Sequence, residues 1–152
     1  MSYRVKMILP VVGMFLVACA AVAAITGGGR EIKQPLPPSL DNLAAVKLLE
    51  IRDGGGRVVL AGNFTTTTKR DGDVEGAAPL AASGVDPDAA GEAEIEIANK
   101  KNSVVEKELE VEVRNLSANT SYGLFVDGRQ AAVFTTDPRG KAELEMTNGP
   151  SS

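Results

Sequence analysis

The sequence contains no histidine, no tryptophan and one cysteine, and each shortage excludes a class of function. Histidine is the side chain that most often transfers protons near neutral pH, and it is the commonest ligand of transition metals. The cysteine, Cys19, lies in an N-terminal apolar segment, so the remaining chain has no thiol for a nucleophile, a disulfide or a zinc site. These absences predict a protein that is not an enzyme and that holds no metal or cofactor.

Aromatic residues are also few, with four Phe and two Tyr in 152 residues, so the core must be built from Val, Leu, Ile and Ala. The net charge is -4, and it becomes -6 if an N-terminal segment containing Arg4 and Lys6 is removed. An acidic domain repels phosphate backbones and anionic membrane surfaces. Nucleic acid is therefore not an expected partner.

Arg4 and Lys6 precede an apolar run from Met7 to Ile25, which is the layout of an export signal. Residues 1–25 are predicted to be a signal peptide, a lipoprotein leader or a membrane anchor. Basic residues before an apolar segment stay on the cytoplasmic side. The domain that follows is thus predicted to be extracytoplasmic, in the cell envelope (periplasm or cell surface) or secreted, with the membrane as a partner through this segment.

Three fates of the apolar segment stay open. Leu16-Val17-Ala18-Cys19 resembles the lipobox of bacterial lipoproteins, and this resemblance implies lipidation of Cys19. Ala21-Val22-Ala23 is instead typical of an ordinary cleavage site. The run is also close to the roughly 20 residues that an uncleaved anchor needs.

Residues 26–40 contain three consecutive glycines followed by three prolines, which predicts a flexible tether. A single β-domain is predicted over 41–148, with a disordered tail at 149–152. Its first hairpin is expected to have arms near 46–52 and 58–60, with a short helical turn before Val46. Pro79 cannot donate to a ladder, so its segment is predicted to be an edge strand or irregular.

The stretch from Ser103 to Met146 alternates apolar and polar residues, which is typical of an antiparallel β-meander. Asp127-Gly128 predicts a two-residue type I′ turn. In that register Val126 pairs with Arg129, Leu124 with Ala131 and Tyr122 with Val133.

A motif of Asp-Pro, a turn Gly and x-Ala-Glu-apolar-Glu occurs twice, at 86–96 and at 137–145. Around the first copy, at 80–97, and again at 111–120, the chain resembles bacterial secreted β-sandwich modules of the CHRD type. This resemblance implies an extracytoplasmic β-sandwich. The histidines typical of that family are missing here, so no binding role is carried over.

Carboxylates supply the candidate sites. Asp71 to Gly76 resembles the first half of a calcium loop, but position 12 is Ala82 instead of the required Glu, so a charged hairpin tip is favoured. Alternate glutamates share one face of their strands: Glu92, Glu94, Glu96; Glu108, Glu110, Glu112; Glu143, Glu145. If these strands are neighbours, the glutamates repel one another unless a cation binds or a basic residue interleaves, the candidates being Lys100, Lys101, Lys107, Arg114 and Lys141.

The predicted fold is all-β, an antiparallel two-sheet sandwich of the Ig-like kind with seven to eight strands after the N-terminal leader helix. The predicted core is Leu48, Val58, Leu60, Phe64, Ile95, Ile97, Leu109, Val111, Val113, Leu124, Val126, Val133, Leu144 and Met146. Phe125 and Phe134 lie on the other face of their hairpin and must be covered either by the Leu40 to Val46 segment or by an unknown protein partner, for which they would form the interaction surface.

The expected function is a non-enzymatic structural or interaction module. The alternative is a ligand-binding module for a divalent cation or a glycan, using the acidic sheet face or the 65–75 hairpin. A hydrolase is a third hypothesis, which a water-exposed glutamate row does not favour because a catalytic acid needs an apolar cleft.

Overall fold

Alternating apolar and polar residues form ten β-strands in the computed structural model, which describes residues 29–100 and 105–149. Two short 3-10 turns, Pro38–Leu40 and Leu43–Ala45, precede the second strand, as expected for the segment before Val46. The strands are β1 (Arg30–Pro35), β2 (Leu48–Arg52), β3 (Val58–Asn63), β4 (Thr65–Thr68), β5 (Val74–Ala82), β6 (Ala90–Asn99), β7 (Val105–Arg114), β8 (Ser121–Val126), β9 (Arg129–Thr135) and β10 (Ala142–Thr147).

The N-terminal leader 1–25, with Cys19, lies outside the described residues, as do residues 150–152 of the predicted tail. Within the described part, no helix has the length and apolar character needed to span a bilayer.

One continuous hydrogen-bonded path runs through the sheet in the order β1-β10-β7-β6-β5-β3-β2-β8-β9, and β4 pairs with β5 beside this path. The all-β prediction is confirmed. The sheet is nearly closed and barrel-like, however, and is not clearly divided into the two sheets of the predicted sandwich. Its two halves join where Leu60 and Ala61 of β3 pair with Ala82 and Ala81 of β5. Inward and outward residues alternate in barrels and sandwiches alike, so the sequence pattern could not distinguish them.

The inner side of the sheet contains most of the predicted core. Nine of the predicted side chains are buried: Leu60, Ile95, Leu109, Val111, Val113, Leu124, Val126, Leu144 and Met146. Leu48, Val58, Phe64 and Ile97 are only half-buried. In β2 the buried residues are Leu49 and Ile51 instead of Leu48, because the pleat places the odd-numbered residues inside.

The predicted tether is corrected over much of its length. Arg30–Pro35 pairs in parallel with Ala142–Thr147, and the Leu36 N–H donates to the Thr147 carbonyl at 2.9 Å. Leu40 is buried in the core. The proline-rich composition is compatible with β1 because the only proline in the strand, Pro35, is its last residue.

Pro79 lies inside β5, which has β6 on one side and both β3 and β4 on the other, so the prediction of an edge or irregular strand is wrong. A Cβ on Gly62 would lie 2.3 Å from the Pro79 carbonyl oxygen, which therefore points toward β3. The N–H and the C=O of one strand residue point the same way. The N–H that Pro79 lacks would therefore point into a gap on this side of β5, between residues 74–77, which pair with β4, and residues 81–82, which pair with β3. No hydrogen bond between strands is lost there.

The Asp127-Gly128 turn is confirmed, with φ of 46° and 79° and with Val126 paired to Arg129. A bulge between Leu124 and Phe125 then shifts the rest of the register by one residue. Such a shift moves every following side chain to the opposite face. As a result Phe134 is buried and Val133 is 54% exposed, so the predicted core position of Val133 is wrong.

Candidate functional site

Glutamates of three adjacent strands oppose one another directly on the outer side of the sheet. The facing pairs are Glu92–Glu112, Glu94–Glu110 and Glu96–Glu108 between β6 and β7, and Glu112–Glu143 and Glu110–Glu145 between β7 and β10. The acidic face is defined here as these residues with their outer neighbours on β1 and β5: Glu31, Glu75, Glu92, Glu94, Glu96, Glu108, Glu110, Glu112, Glu143 and Glu145.

The inner side of the same strands fixes this register. Ala93, Val111 and Leu144 are opposite one another across β6, β7 and β10, and all three are buried. A slip of one residue would expose this row and bury glutamates in its place. The two copies of the Asp-Pro motif found in the sequence lead into β6 and β10, which are the two neighbours of β7. Their glutamates therefore lie on either side of β7.

The central strand of the acidic face has perturbed carboxyl groups. Partial burial raises the pKa of Glu108, Glu110 and Glu112 above the ordinary value of 4.5, and the neighbouring carboxylates raise each pKa further. For Glu110 and Glu112 the largest contribution from a neighbouring charge comes from Glu143 of β10. All three shifts therefore have the sign expected for carboxylates that folding partly buries and also brings beside like charges.

Basic side chains compensate only part of this charge. Lys33 of β1 lies 3.3 Å from a Glu31 oxygen and 3.1 Å from a Glu145 oxygen, and these carboxylates raise its pKa. Lys69 pairs with Glu75 at the other side of the face. Two of the compensating residues predicted from the sequence contact carboxylates outside the face, Lys107 with Asp41 and Lys100 with Glu106, although Lys100 is also attracted to Glu96. Lys101 lies outside the described residues.

Two smaller features lie on the acidic face. A groove of about 380 Å³ has Thr65 and Thr67 of β4 on one side and Glu108 and Glu110 on the other. Beside it, carboxylate oxygens of Glu110, Glu112 and Glu143 lie within 4.8 Å of one another. Three carboxylates could supply part of the six to eight oxygen ligands that calcium takes.

Residues 71–73 lie in the turn between β4 and β5, as the hairpin-tip interpretation predicts, whereas residues 74–76 belong to β5. Gly72 has a φ of 91°, and the Gly72 N–H donates to the Lys69 carbonyl at 3.1 Å. The Asp73 carboxylate accepts the Asn99 N–H at 2.7 Å, and the Asp71 carboxylate accepts the Asp73 N–H at 3.3 Å. Asp71 thus has a hydrogen bond within the tip, and Asp73 connects the tip to the end of β6.

Phe125 and Phe134 do not form one surface, so that predicted interaction site is corrected. Phe134 is 3% exposed and stacks on Tyr122, with ring centroids 6.0 Å apart. Phe125 is half-buried on the outer side, where the Arg52 guanidinium lies 4.2 Å above its ring. The bulge at Leu124 and Phe125 separates the two rings, and no sequence signal marks it.

Sequence reasoning missed three members of the acidic face and its environment: Glu31, Lys33 and Glu75. The first two lie in the segment interpreted as a tether, although Arg30-Glu31-Ile32-Lys33 has polar residues on both sides of an apolar one. The sequence predicts a hairpin tip at Glu75, whereas this residue lies in β5 opposite Glu96. The alternation in β1 was the available signal, and the following prolines obscured it.

No family model matches the chain, and neither the curated proteins nor the solved structures include a match to it. The resemblance to CHRD-type modules and to a lipoprotein leader stays a prediction. Function is therefore argued from the geometry of the acidic face.

Proposed function

We propose that this chain is a non-enzymatic, extracytoplasmic interaction module, membrane-tethered or secreted, whose acidic face binds a basic protein partner. The observation that carries the proposal is the direct opposition of glutamates across β6, β7 and β10. Like charges opposite one another destabilise a sheet, and lysines at alternate rows would remove the repulsion. A face that retains this arrangement is suited to a ligand that supplies the missing positive charge.

Location follows from the N-terminal segment. Arg4 and Lys6 before the apolar run support export of the domain, with Cys19 as the residue that a lipid would modify. A domain outside the cytoplasm encounters other envelope proteins, and a single-sign charged surface accelerates encounters with a partner of opposite charge.

The shape of the acidic face suits an extended basic segment. The groove between β4 and β7 is bordered by Thr65 and Thr67 and by Glu94, Glu108 and Glu110, and its one lysine, Lys69, is paired with Glu75. A lysine or arginine side chain can lay its aliphatic stem in such a groove while its charged end meets the carboxylates. Each such contact adds an attraction that offsets part of the repulsion within the face.

Binding of a basic peptide tests this function. The full-length protein in a neutral detergent is titrated into a fluorescein-labelled octalysine peptide, and anisotropy is recorded at low salt. The variant Glu94→Gln/Glu110→Gln/Glu145→Gln is expected to bind roughly tenfold more weakly than the unchanged protein, since three exposed ion pairs are removed. Added salt is expected to weaken binding to the unchanged protein as well.

The matched control is Asp71→Asn/Asp86→Asn/Asp88→Asn, which removes the same charge from loops outside the acidic face. This control is expected to keep its affinity within about twofold. Equal losses in the two triple variants would show that only the net charge matters, and the proposed surface would then be rejected.

A divalent cation is the second candidate ligand, and the 4.8 Å grouping of Glu110, Glu112 and Glu143 favours it. In the same assay, millimolar calcium that displaces the peptide from the unchanged protein but not from Glu112→Gln/Glu143→Gln, at matched ionic strength, would support this candidate. A glycan is less well suited, because β1, β5, β6, β7 and β10 contain no aromatic residue on which a sugar could stack.

A further inference from the structure

Glu110 is the most crowded carboxylate of the acidic face. It lies between Glu94 of β6 and Glu145 of β10, with Glu108 and Glu112 two positions away on its own strand. Glu143 of β10 adds a diagonal neighbour. Two basic groups lie near this row: Lys33 of β1, which contacts Glu145, and Lys69, which lines the groove beside Glu94 and Glu110 and pairs with Glu75.

In the two neighbouring rows, glutamates also face glutamates across the strands. Glu108 faces Glu96 of β6 and the uncharged Thr147 of β10. Beyond Glu96, Glu75 of β5 pairs with Lys69, which follows β4. Three more charged residues lie beside Glu96 and Glu108: Glu106 with its partner Lys100, and Lys107, which contacts Asp41. Glu112 faces Glu92 and Glu143, with Glu31 beyond Glu143 on β1. The basic groups at that end of the face are Arg114 and Lys141.

Folding therefore creates this repulsion. In the unfolded chain the three strands separate, so Glu110 loses its cross-strand neighbours and is exposed to water. Protonating one central glutamate in the folded protein removes several repulsions at once. By linkage, the folded state takes up protons more readily than the unfolded state, and acid favours folding.

We propose that the acidic face makes this domain a pH-sensitive element, which is more stable in mild acid than at neutral pH. The raised pKa values of Glu108, Glu110 and Glu112 give the direction. Their contribution to stability is complete below the ordinary glutamate value of 4.5, and it is lost as the pH rises through the raised folded-state values.

Other carboxylates set the lower limit of the pH range in which the domain is most stable. Hydrogen bonds from Lys107 to Asp41, and from backbone N–H groups to Asp53 and Asp137, lower the pKa of these aspartates below the ordinary 3.8. Their contribution is present above 3.8 and is lost as the pH falls through the lowered values. The domain is therefore expected to be most stable between the titration of the aspartates and that of the glutamates, close to the pH interval from 3.8 to 4.5.

Thermal unfolding of the full-length protein in neutral detergent, followed by circular dichroism from pH 3 to pH 8, tests the proposal. The Tm at pH 5 is expected to exceed that at pH 7.5 by about 3 to 6 °C. At pH 7.5, Glu110→Gln and Glu112→Gln are each expected to raise the Tm and to reduce the difference between the two pH values. The control Asp88→Asn, an exposed loop residue, should leave that difference unchanged.

A Tm at pH 5 equal to or below that at pH 7.5 would overturn the proposal. So would a pH difference that survives unchanged in both glutamine variants, because the acid effect would then come from other groups. Neither readout involves a partner, so the outcome is independent of whether the acidic face binds a basic peptide.

Discussion

Replacing Gly140 by Ala is expected to destabilise the protein by about 3 to 5 kcal/mol. The φ of Gly140 is 72°, a left-handed conformation that costs an alanine free energy. A Cβ at this position would also lie 1.9 Å from the Leu116 carbonyl oxygen and 2.9 Å from its carbonyl carbon. Both contacts are with backbone, so no side-chain rotation can relieve them.

The turn around Gly140 explains why the backbone cannot move away. The Leu116 N–H donates to the Gly140 carbonyl at 3.0 Å, and the Gly140 N–H donates to the Asp137 carbonyl at 3.0 Å. The Asp137 carboxylate accepts the N–H groups of Arg139 and Lys141 at 2.8 and 2.9 Å. This turn leads into β10, which carries two glutamates of the acidic face.

Urea denaturation of Gly140→Ala and of the control Gly54→Ala measures the effect. A Cβ on Gly54 meets no atom within 4 Å, and its φ is not positive, so this variant is expected to stay within about 1 kcal/mol of the unchanged protein. Similar stability losses in the two variants would contradict the close approach of Leu116 to Gly140.

Replacing Thr136 by Val is expected to cost about 2 to 4 kcal/mol. Thr136 is 0% exposed and is the buried polar side chain of the described core. Its hydroxyl donates to the Ser117 carbonyl at 2.6 Å and accepts the Thr120 N–H at 3.0 Å. Valine has a similar shape but leaves both backbone groups without this partner in a site that excludes water.

The matched control is Thr66→Val in β4, an exposed position where the same change is expected to alter the free energy of unfolding by no more than about 0.5 kcal/mol. Chemical denaturation of both variants gives the comparison. If Thr136→Val unfolds at the same midpoint as the control, the hydroxyl does not hold the start of β8 to the end of β9.

The strands from β6 to β10 could be predicted from the sequence because their alternation is regular and their turns have specific residues. The inward positions of Leu109, Val111 and Leu144 follow from the period of two alone. The same period predicts that glutamates share a face. It does not predict which strands are neighbours, and so the direct opposition of Glu94 and Glu110 required the structure.

Features that depend on contacts between distant segments were not predictable. The pairing of β1 with β10 joins residues more than a hundred positions apart, and the bulge at Leu124 depends on how β8 lies between β2 and β9. The role of Thr136 was not predictable for the same reason, because an isolated threonine at the end of a strand does not indicate which backbone groups its hydroxyl will bind. The place of Pro79 inside the sheet was not predictable either, because a proline fits there only through the gap between β3 and β4 along β5.

Site-resolved titration of the carboxyl groups by NMR tests most directly the claim that glutamates are opposed in register on one face. The account predicts that Glu108, Glu110 and Glu112 titrate above 4.5, while Asp53 and Asp137 titrate below 3.8 in the same sample. In Glu143→Gln the pKa of Glu110 and of Glu112 should fall toward the ordinary value. Titration of the three glutamates at or below 4.5 in the unchanged protein would contradict the acidic face as described.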